Sequence, residues 1–163
     1  MPTAIRIEPM TEADFAATAA LDATGHTKEA DLRDELARPW ARLWVAREQP
    51  GGEIVGFLLF WHVVDELHVL QLMTRTDRRR RGIARALMRH AMAYGRENGI
   101  ARVLLEVRRS NRGAISLYRD TGFFATSVRS RYYPDDEDGI EMLLMLDPAS
   151  GRPVSHADEV TLE

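Results

Sequence analysis

The chain has 163 residues, of which 45% are hydrophobic and 29% charged, and its formal net charge is -3. Such a composition is typical of one globular domain with a buried core, and the negative charge argues against general attraction to nucleic acid. The sequence contains no cysteine, which excludes disulfides, thiolate nucleophiles and cysteine metal ligands. The N terminus lacks a signal-peptide pattern, and the apolar runs are shorter than the ~18 residues of a membrane span. We therefore expect a cytoplasmic protein that binds no membrane and no metal, and that requires no nucleic acid.

The first part of the chain predicts short strands and helices. The alternating segment "AIRIEPM" predicts a strand, and "TEAD" resembles a capping box that opens a helix over residues 11–23. A second helix is predicted over residues 28–38 because Pro39 ends it. The segments "RLWVARE" and "EIVGFLLFWHVV" flank "QPGG", which predicts a hairpin, and a further strand is expected over residues 66–75.

Four consecutive arginines and Gly82 come directly before the next predicted helix, whose apolar residues recur at helical spacing from Ile83 to a stop near Gly99. A helix N terminus presents unpaired N–H groups, and a glycine there lets an anion approach the backbone closely. One arginine guanidinium group can donate two parallel hydrogen bonds to the oxygens of a phosphate. The pattern therefore favours a compact phosphate ligand, with a solvated charged turn as the alternative.

The second half continues with the strand "ARVLLEVRR" and a helix "RGAISLYRDT" that opens after Asn111 and closes at Gly122. The segments "FFATSVRSRYY" and "GIEMLLML" bracket "PDDEDG", so a hairpin is expected to end the domain. We expect one domain over residues 1–147 and a flexible tail over residues 148–163, which have little apolar content. The mixed order of elements predicts a mainly antiparallel sheet with local βαβ crossings.

Several ordered motifs resemble one enzyme family. The string "RRRGIA" over residues 79–84 resembles the acetyl-CoA loop of the GNAT acetyltransferases. Three segments together are similar to the RimI-like branch, the ribosomal-protein-alanine N-acetyltransferases: "DELHVLQLMTRTDRRRRGIARALM", "LLEVRRSNRGAISLYRDTGF" and "RSRYYPDDEDGIEMLLM". This resemblance covers residues 65–146. It implies the α/β (α+β) GNAT fold, in which a mixed, mostly antiparallel sheet of about seven strands is flanked by about four helices.

The resemblance also implies the reaction, which is direct transfer of an acetyl group from acetyl-CoA to the N-terminal α-amine of a protein, such as a ribosomal protein that begins with alanine. Backbone groups of a bulged strand would bond the pantetheine arm, and the arginine loop would bind the pyrophosphate. The cofactor-binding residues carried over in this way are Leu72, Met73, Thr74, Arg79, Arg80, Arg81, Gly82, Ile83, Ala84, Arg85 and Asn111. From the residue types alone, an ordinary core strand explains Leu72, and a helix N-cap explains Asn111.

Two residues receive catalytic roles from the resemblance. Glu106 is the general base, and Tyr118 is the general acid that protonates the departing thiolate. A carboxylate within an apolar strand should lie at a strand end or face a cleft, because burying it unpaired is costly. The alternatives are an ion pair of Glu106 with Arg108 or Arg109, and a purely core-packing role for Tyr118.

The substrate-binding residues that the resemblance implies are Glu66, His68 and Tyr133. Glu66 and His68 lie on the strand where the family receives the substrate amine, and either is a candidate for a proton relay, although a lone histidine on a strand is more often structural. Tyr132 and Tyr133 match a hairpin that helps cover the substrate peptide, and simple aromatic packing explains them nearly as well. The segment around Pro39 matches the family only loosely, which weakens the assignment of the acceptor.

Two other functions remain open from the sequence. The first keeps the GNAT chemistry but uses a small-molecule amine or a lysine as the acceptor. The second is a non-catalytic module that binds RNA or a ribosomal surface through its arginines, although the net charge argues against it. For the oligomeric state we expect a monomer or a weak dimer.

Overall fold

The computed structural model describes residues 4–49 and 52–162. Two compact units make up the chain: Met1–His62 with Leu70–Met92, and Val63–Val69 with Ala93–Glu163. The elements of the first half are β1 (Ile5–Pro9), a 3-10 turn (Glu12–Asp14), α1 (Phe15–Ala19), α2 (Glu29–Leu36), β2 (Ala41–Glu48), β3 (Glu53–Val63) and β4 (Glu66–Thr74). Those of the second half are a 3-10 turn (Thr76–Arg78), α3 (Ile83–Glu97), β5 (Arg102–Arg108), α4 (Arg112–Thr121), β6 (Phe124–Arg129), β7 (Gly139–Leu146) and β8 (Pro153–Val154).

The first unit is built on an antiparallel meander. β1 pairs with β2, and β2 pairs with β3, with a register shift between Ala46 and Arg47. The predicted hairpin is therefore confirmed, although Pro50 and Gly51 of its turn lie outside the described residues. Side chains from the strands and from α1 and α2 form one hydrophobic core; its members include Phe15, Leu32, Val45, Phe57 and Leu59.

The helix predicted over residues 11–23 is wrong in extent. It starts as a 3-10 turn, where the Asp14 carboxylate accepts the Thr11 N–H at 2.9 Å as the capping pattern predicts, and α1 already ends at Ala19. Soon afterwards the side chain of Asp22 accepts the backbone N–H groups of Thr24 and Thr27. These local bonds favour a loop over continued helix because they satisfy the N–H groups in another way.

The second unit contains the parallel crossing. Residues Glu66 to Val69 of β4 pair in parallel with Arg102 to Leu105 of β5. The remaining pairs, β5 with β7, β6 with β7 and β7 with β8, are antiparallel. The full strand order is β1-β2-β3-β4-β5-β7-β6, with β8 on β7. The mixed, mostly antiparallel sheet and the four α-helices of the described residues confirm the predicted fold class.

Residues after Asp147 contact other elements of the second unit. Val154 of β8 pairs with Met145 of β7, and the ring of His156 stacks on Phe124 with 4.8 Å between centroids. β8 was not predicted, whereas the division into a domain and a flexible tail stays a prediction. Among the residues that the structure describes, no helix is long and apolar enough to cross a membrane.

Candidate active site

The arginine loop at residues 78–81 contains two kinds of arginine. Arg78 is held by carboxylates, because its Nε donates to Glu48 Oε2 at 2.6 Å and its NH1 lies 2.9 Å from Asp77 Oδ2. Arg79, Arg80 and Arg81 are exposed and form no ion pair within the described ranges 4–49 and 52–162. Three guanidinium groups are therefore available to an anion, and the fourth shapes the loop.

The backbone of this loop suits a phosphate. Arg80 and Gly82 both have left-handed conformations, with φ of 64° and 79°, and a Cβ on Gly82 would meet no atom within 4 Å. Turns of this kind direct successive N–H groups toward a common point. The first helical bond of α3 runs from the Ala86 N–H to the Gly82 carbonyl at 2.9 Å, so the N–H groups just before Ala86 have no partner within the helix. The loop and helix start thus fit the predicted pyrophosphate.

The predicted cofactor strand is the end of β4, where Leu72, Met73 and Thr74 are half-buried. A Cβ on Gly56 would lie 2.9 Å from the Met73 carbonyl oxygen and 2.9 Å from Ile83 Cγ2, so β3 approaches both β4 and the start of α3. Sequence reasoning overlooked Gly56, although an isolated glycine within a strand signals a close backbone approach. The bulge expected in β4 stays a prediction.

Glu106 is exposed on β5, as expected for a carboxylate that is not paired in the core. The two ion pairs considered for it are absent among the described residues, because Arg108 pairs with Asp135 and Glu137, and Arg109 pairs with Asp138. Instead, the hydroxyl of Tyr132 donates to Glu106 Oε2 at 3.1 Å. Sequence analysis missed this contact because it depends on how the β6–β7 connection folds back toward β5. A tyrosine in that connection was the only available signal.

Tyr118 is 7% exposed on α4, and its ring lies 5.6 Å from that of Phe123. Burial, and secondarily the nearby Tyr133, raise the pKa of Tyr118 to about 12. The hydroxyl is therefore protonated at neutral pH and is able to donate a hydrogen bond. Core packing and proton donation are therefore compatible: the ring packs in the core, and the hydroxyl keeps its proton.

The three predicted substrate-binding residues have partners of their own. His68 Nε2 lies 3.0 Å from Glu66 Oε2, and the other carboxylate oxygen of Glu66 lies 3.1 Å from a guanidinium nitrogen of Arg102. Tyr133 is half-buried, and the guanidinium of Arg108 lies 4.2 Å from its ring centroid. Glu66 and His68 thus form a contiguous polar pair, and their part in a proton relay stays a prediction.

The remaining predicted residues occupy the ends of helices. Asn111 caps α4, since its side-chain oxygen accepts the Ala114 N–H at 3.2 Å. Ile83 is buried, and Ala84 and Arg85 are half-buried in the first turn of α3. No cluster of three or more histidine, aspartate or glutamate side chains among the described residues has the arrangement of a metal site.

Comparison with known proteins identifies the family. The model of the acetyltransferase (GNAT) family matches residues 9–123. The chain is 31% identical over 124 residues to the ribosomal protein bS18 alanine N-acetyltransferase of Escherichia coli strain K12. This match covers 70% of this chain and 84% of that protein.

Solved structures agree with this relationship. The ribosomal-protein-S18-alanine N-acetyltransferase from Escherichia coli superposes with a TM-score of 0.78 and 27% identity over 97% of this chain and 99% of that one. Ard1 from Thermoplasma volcanium gives a TM-score of 0.75 and 26% identity over 94% of this chain and 99% of that one. The chain therefore belongs to the GNAT acetyltransferase family, is RimI-like within it, and is an acyltransferase.

Proposed function

We propose that this enzyme acetylates the N-terminal α-amine of a protein, with a ribosomal protein that begins with alanine as the substrate class. The observation that carries the proposal is the surroundings of Glu106, an exposed carboxylate that accepts a hydrogen bond from a tyrosine hydroxyl and, among the described residues, forms no ion pair with an arginine. Such a group remains able to accept a proton from an incoming amine. The similarity to the Escherichia coli enzyme, whose name gives that acceptor, supports the choice of substrate. A ribosomal substrate implies a cytoplasmic reaction.

The acidity of the acceptor fits a base of modest strength. An α-amine has a pKa near ~8, so about a tenth of it is neutral at pH 7, whereas well under ~0.1% of a lysine amine is neutral. Glu106 then needs to remove only the proton that the amine loses during attack. The pair of Glu66 and His68 would pass that proton toward solvent.

Acetyl-CoA, as the donor, would supply an acetyl thioester that an amine attacks directly. Arg79, Arg80 and Arg81, with the N–H groups at the start of α3, would bind its pyrophosphate, and the backbone at Leu72–Thr74 would bond its amide groups. These assignments rest on the loop geometry and the family resemblance.

Tyr118 would donate its hydroxyl proton to the departing sulfur. A free thiol has a pKa near ~8.5, so proton transfer from a tyrosine with a pKa of about 12 to a free thiolate is uphill by roughly 5 kcal/mol. The hydroxyl therefore stabilises charge on the sulfur by a hydrogen bond before the proton moves. The contribution of Tyr118 then depends on where its hydroxyl lies relative to the sulfur, and less on its acidity.

The test is to incubate the protein with acetyl-CoA and a peptide panel, and to locate the acetyl group by mass spectrometry. The peptides begin with Ala, Ser, Met or Gly, and an N-blocked lysine peptide and a polyamine serve as contrasting acceptors. We expect acetylation of the alanine α-amine at the highest kcat/KM. Acetylation of the polyamine or the lysine alone would refute the proposal and leave the family assignment intact.

A further inference from the structure

Asp158 lies in the C-terminal segment, residues 148–163. Its two carboxylate oxygens contact two different elements, β6 and α4. Its Oδ1 accepts the Ala125 N–H of β6 at 3.0 Å, and its Oδ2 lies 2.6 Å from a guanidinium nitrogen of Arg119 on α4. The backbone N–H of Glu159 donates to the Ala125 carbonyl at 2.8 Å. The segment thus occupies both backbone groups of Ala125 and ties them to α4.

Two further contacts fall on the same stretch of chain. Gly122 caps the C-terminal end of α4, with φ of 117°, and an added Cβ there would lie 2.9 Å from the Cβ of Pro153. Beyond it, the ring of His156 lies stacked on Phe124 at an interplanar angle of 28°. The C-terminal segment therefore contacts the last turn of α4, the turn after it and the first residues of β6.

Tyr118 belongs to this stretch. Its carbonyl oxygen accepts the N–H groups of Gly122 and Phe123, at 3.1 and 2.9 Å, and its ring contacts Phe123. Arg119, which Asp158 holds, is the next residue in the chain. A displacement of the turn would be transmitted directly to the Tyr118 backbone and ring.

We propose that Asp158 is a positioning residue that holds α4 so that the Tyr118 hydroxyl lies where the leaving sulfur needs it. This inference rests on the role proposed above for Tyr118. An exposed ion pair alone contributes little stability, so the expected effect is on placement and turnover. Small errors in the placement of a catalytic group lower turnover strongly.

The test compares Asp158→Ala with Glu159→Ala, which removes a neighbouring carboxylate while its bonded backbone N–H remains. Steady-state rates are measured with the panel peptide that the wild-type enzyme acetylates fastest. We expect Asp158→Ala to lower kcat about fivefold and to leave the KM for acetyl-CoA within about twofold. Asp158→Glu should recover part of the loss, and Glu159→Ala should behave as wild type. Urea unfolding checks that each variant is folded.

Tyr118→Phe and the double variant separate this inference from the role of Tyr118. Asp158→Ala should have no further effect when Tyr118 is already phenylalanine. Unchanged kcat in Asp158→Ala, together with a low kcat in Tyr118→Phe, would overturn the positioning role alone. Unchanged kcat in Tyr118→Phe would overturn the role of Tyr118 and, with it, this inference.

Hydrogen exchange of the Ala125 amide supplies a readout that needs no acceptor. We expect slow exchange in the wild type and in Glu159→Ala, and faster exchange in Asp158→Ala, because that N–H loses its acceptor. Equal exchange rates in the wild type and Asp158→Ala would show that the contact is not formed, and would overturn the inference.

Discussion

Arginines cluster in two places that differ in their partners, the loop at residues 78–81 and the end of β5 beside the β6–β7 connection. Beside the connection, Arg108 pairs with Asp135 and Glu137, and Arg109 pairs with Asp138. In the loop, only Arg78 forms ion pairs with carboxylates among the described residues. The carboxylates of the β6–β7 connection neutralise the charges of Arg108 and Arg109 and fix the backbone there. In the loop, positive charge is left for a ligand. A count of arginines does not distinguish the two; their carboxylate neighbours do.

Two glutamates also differ in whether an arginine pairs with them. Their replacement should give the largest difference in kcat. Glu106 and Glu141 lie opposite each other on β5 and β7, but Arg129 pairs with Glu141. Glu106→Gln should lower kcat about 100-fold because it removes the proposed base. Glu141→Gln, the matched control, should change kcat by less than about threefold. Initial rates over a range of peptide concentrations measure both, and equal losses would show that arginine pairing does not mark the base.

Removing the loop arginines that have no carboxylate partner should have the next largest effect. Replacing Arg79, Arg80 and Arg81 together with alanine should raise the Kd for coenzyme A about 50-fold, since each replacement would remove a proposed charge-assisted bond to phosphate. Arg89→Ala removes an exposed arginine elsewhere on α3 and serves as the control. Calorimetric titration measures the Kd values. An unchanged Kd in the triple variant would refute the phosphate assignment.

Arg78→Ala should have a smaller effect of another kind. Because Arg78 holds Glu48 and Asp77, its loss should loosen the loop and raise the Kd about threefold. The salt dependence of binding is the sharper measurement. The triple variant should weaken that dependence, and Arg78→Ala should leave it close to wild type. Equal changes in slope would mean that Arg78 also contacts the phosphate.

The smallest effect concerns acid pH in the β6–β7 connection. The hydrogen bond from Arg108 lowers the pKa of Asp135 below its usual 3.8, and the pKa of Asp138 is lowered by the Arg131 N–H and by Arg109. A lowered folded-state pKa contributes stability above the usual value, and this contribution is lost as pH falls through the lowered pKa. Arg108→Gln should move the Asp135 pKa back toward 3.8, which carbon NMR titration measures. An unmoved pKa would contradict the pairing.

Much of the fold was predictable because local signals agree with it. The capping side chain of Asn111 and the left-handed Gly122 fix both ends of α4, and the glycine after the arginines marks the start of α3. The strand β5 is equally predictable from its branched residues. These features depend on neighbours within a few positions along the chain.

The parts that sequence reasoning missed depend on residues far apart in the chain. Arg78 meets Glu48 across 30 positions, and Tyr132 meets Glu106 across 26, so both contacts require the strand registers. The attachment of Asp158 to Ala125, across 33 positions, is of the same kind. Composition predicts that the C-terminal segment is polar, but not that a few of its polar groups find partners on β6.

That attachment also bears on self-association. β6 ends the strand order, and an exposed edge strand invites pairing with another molecule. Here Ala125 already has both backbone groups bonded within its own chain, and the register of β6 shifts between Ala125 and Ser127. An incoming strand would meet an interrupted ladder. We therefore expect the C-terminal segment to protect β6 from strand addition near Ala125, and its removal to expose a site for aggregation.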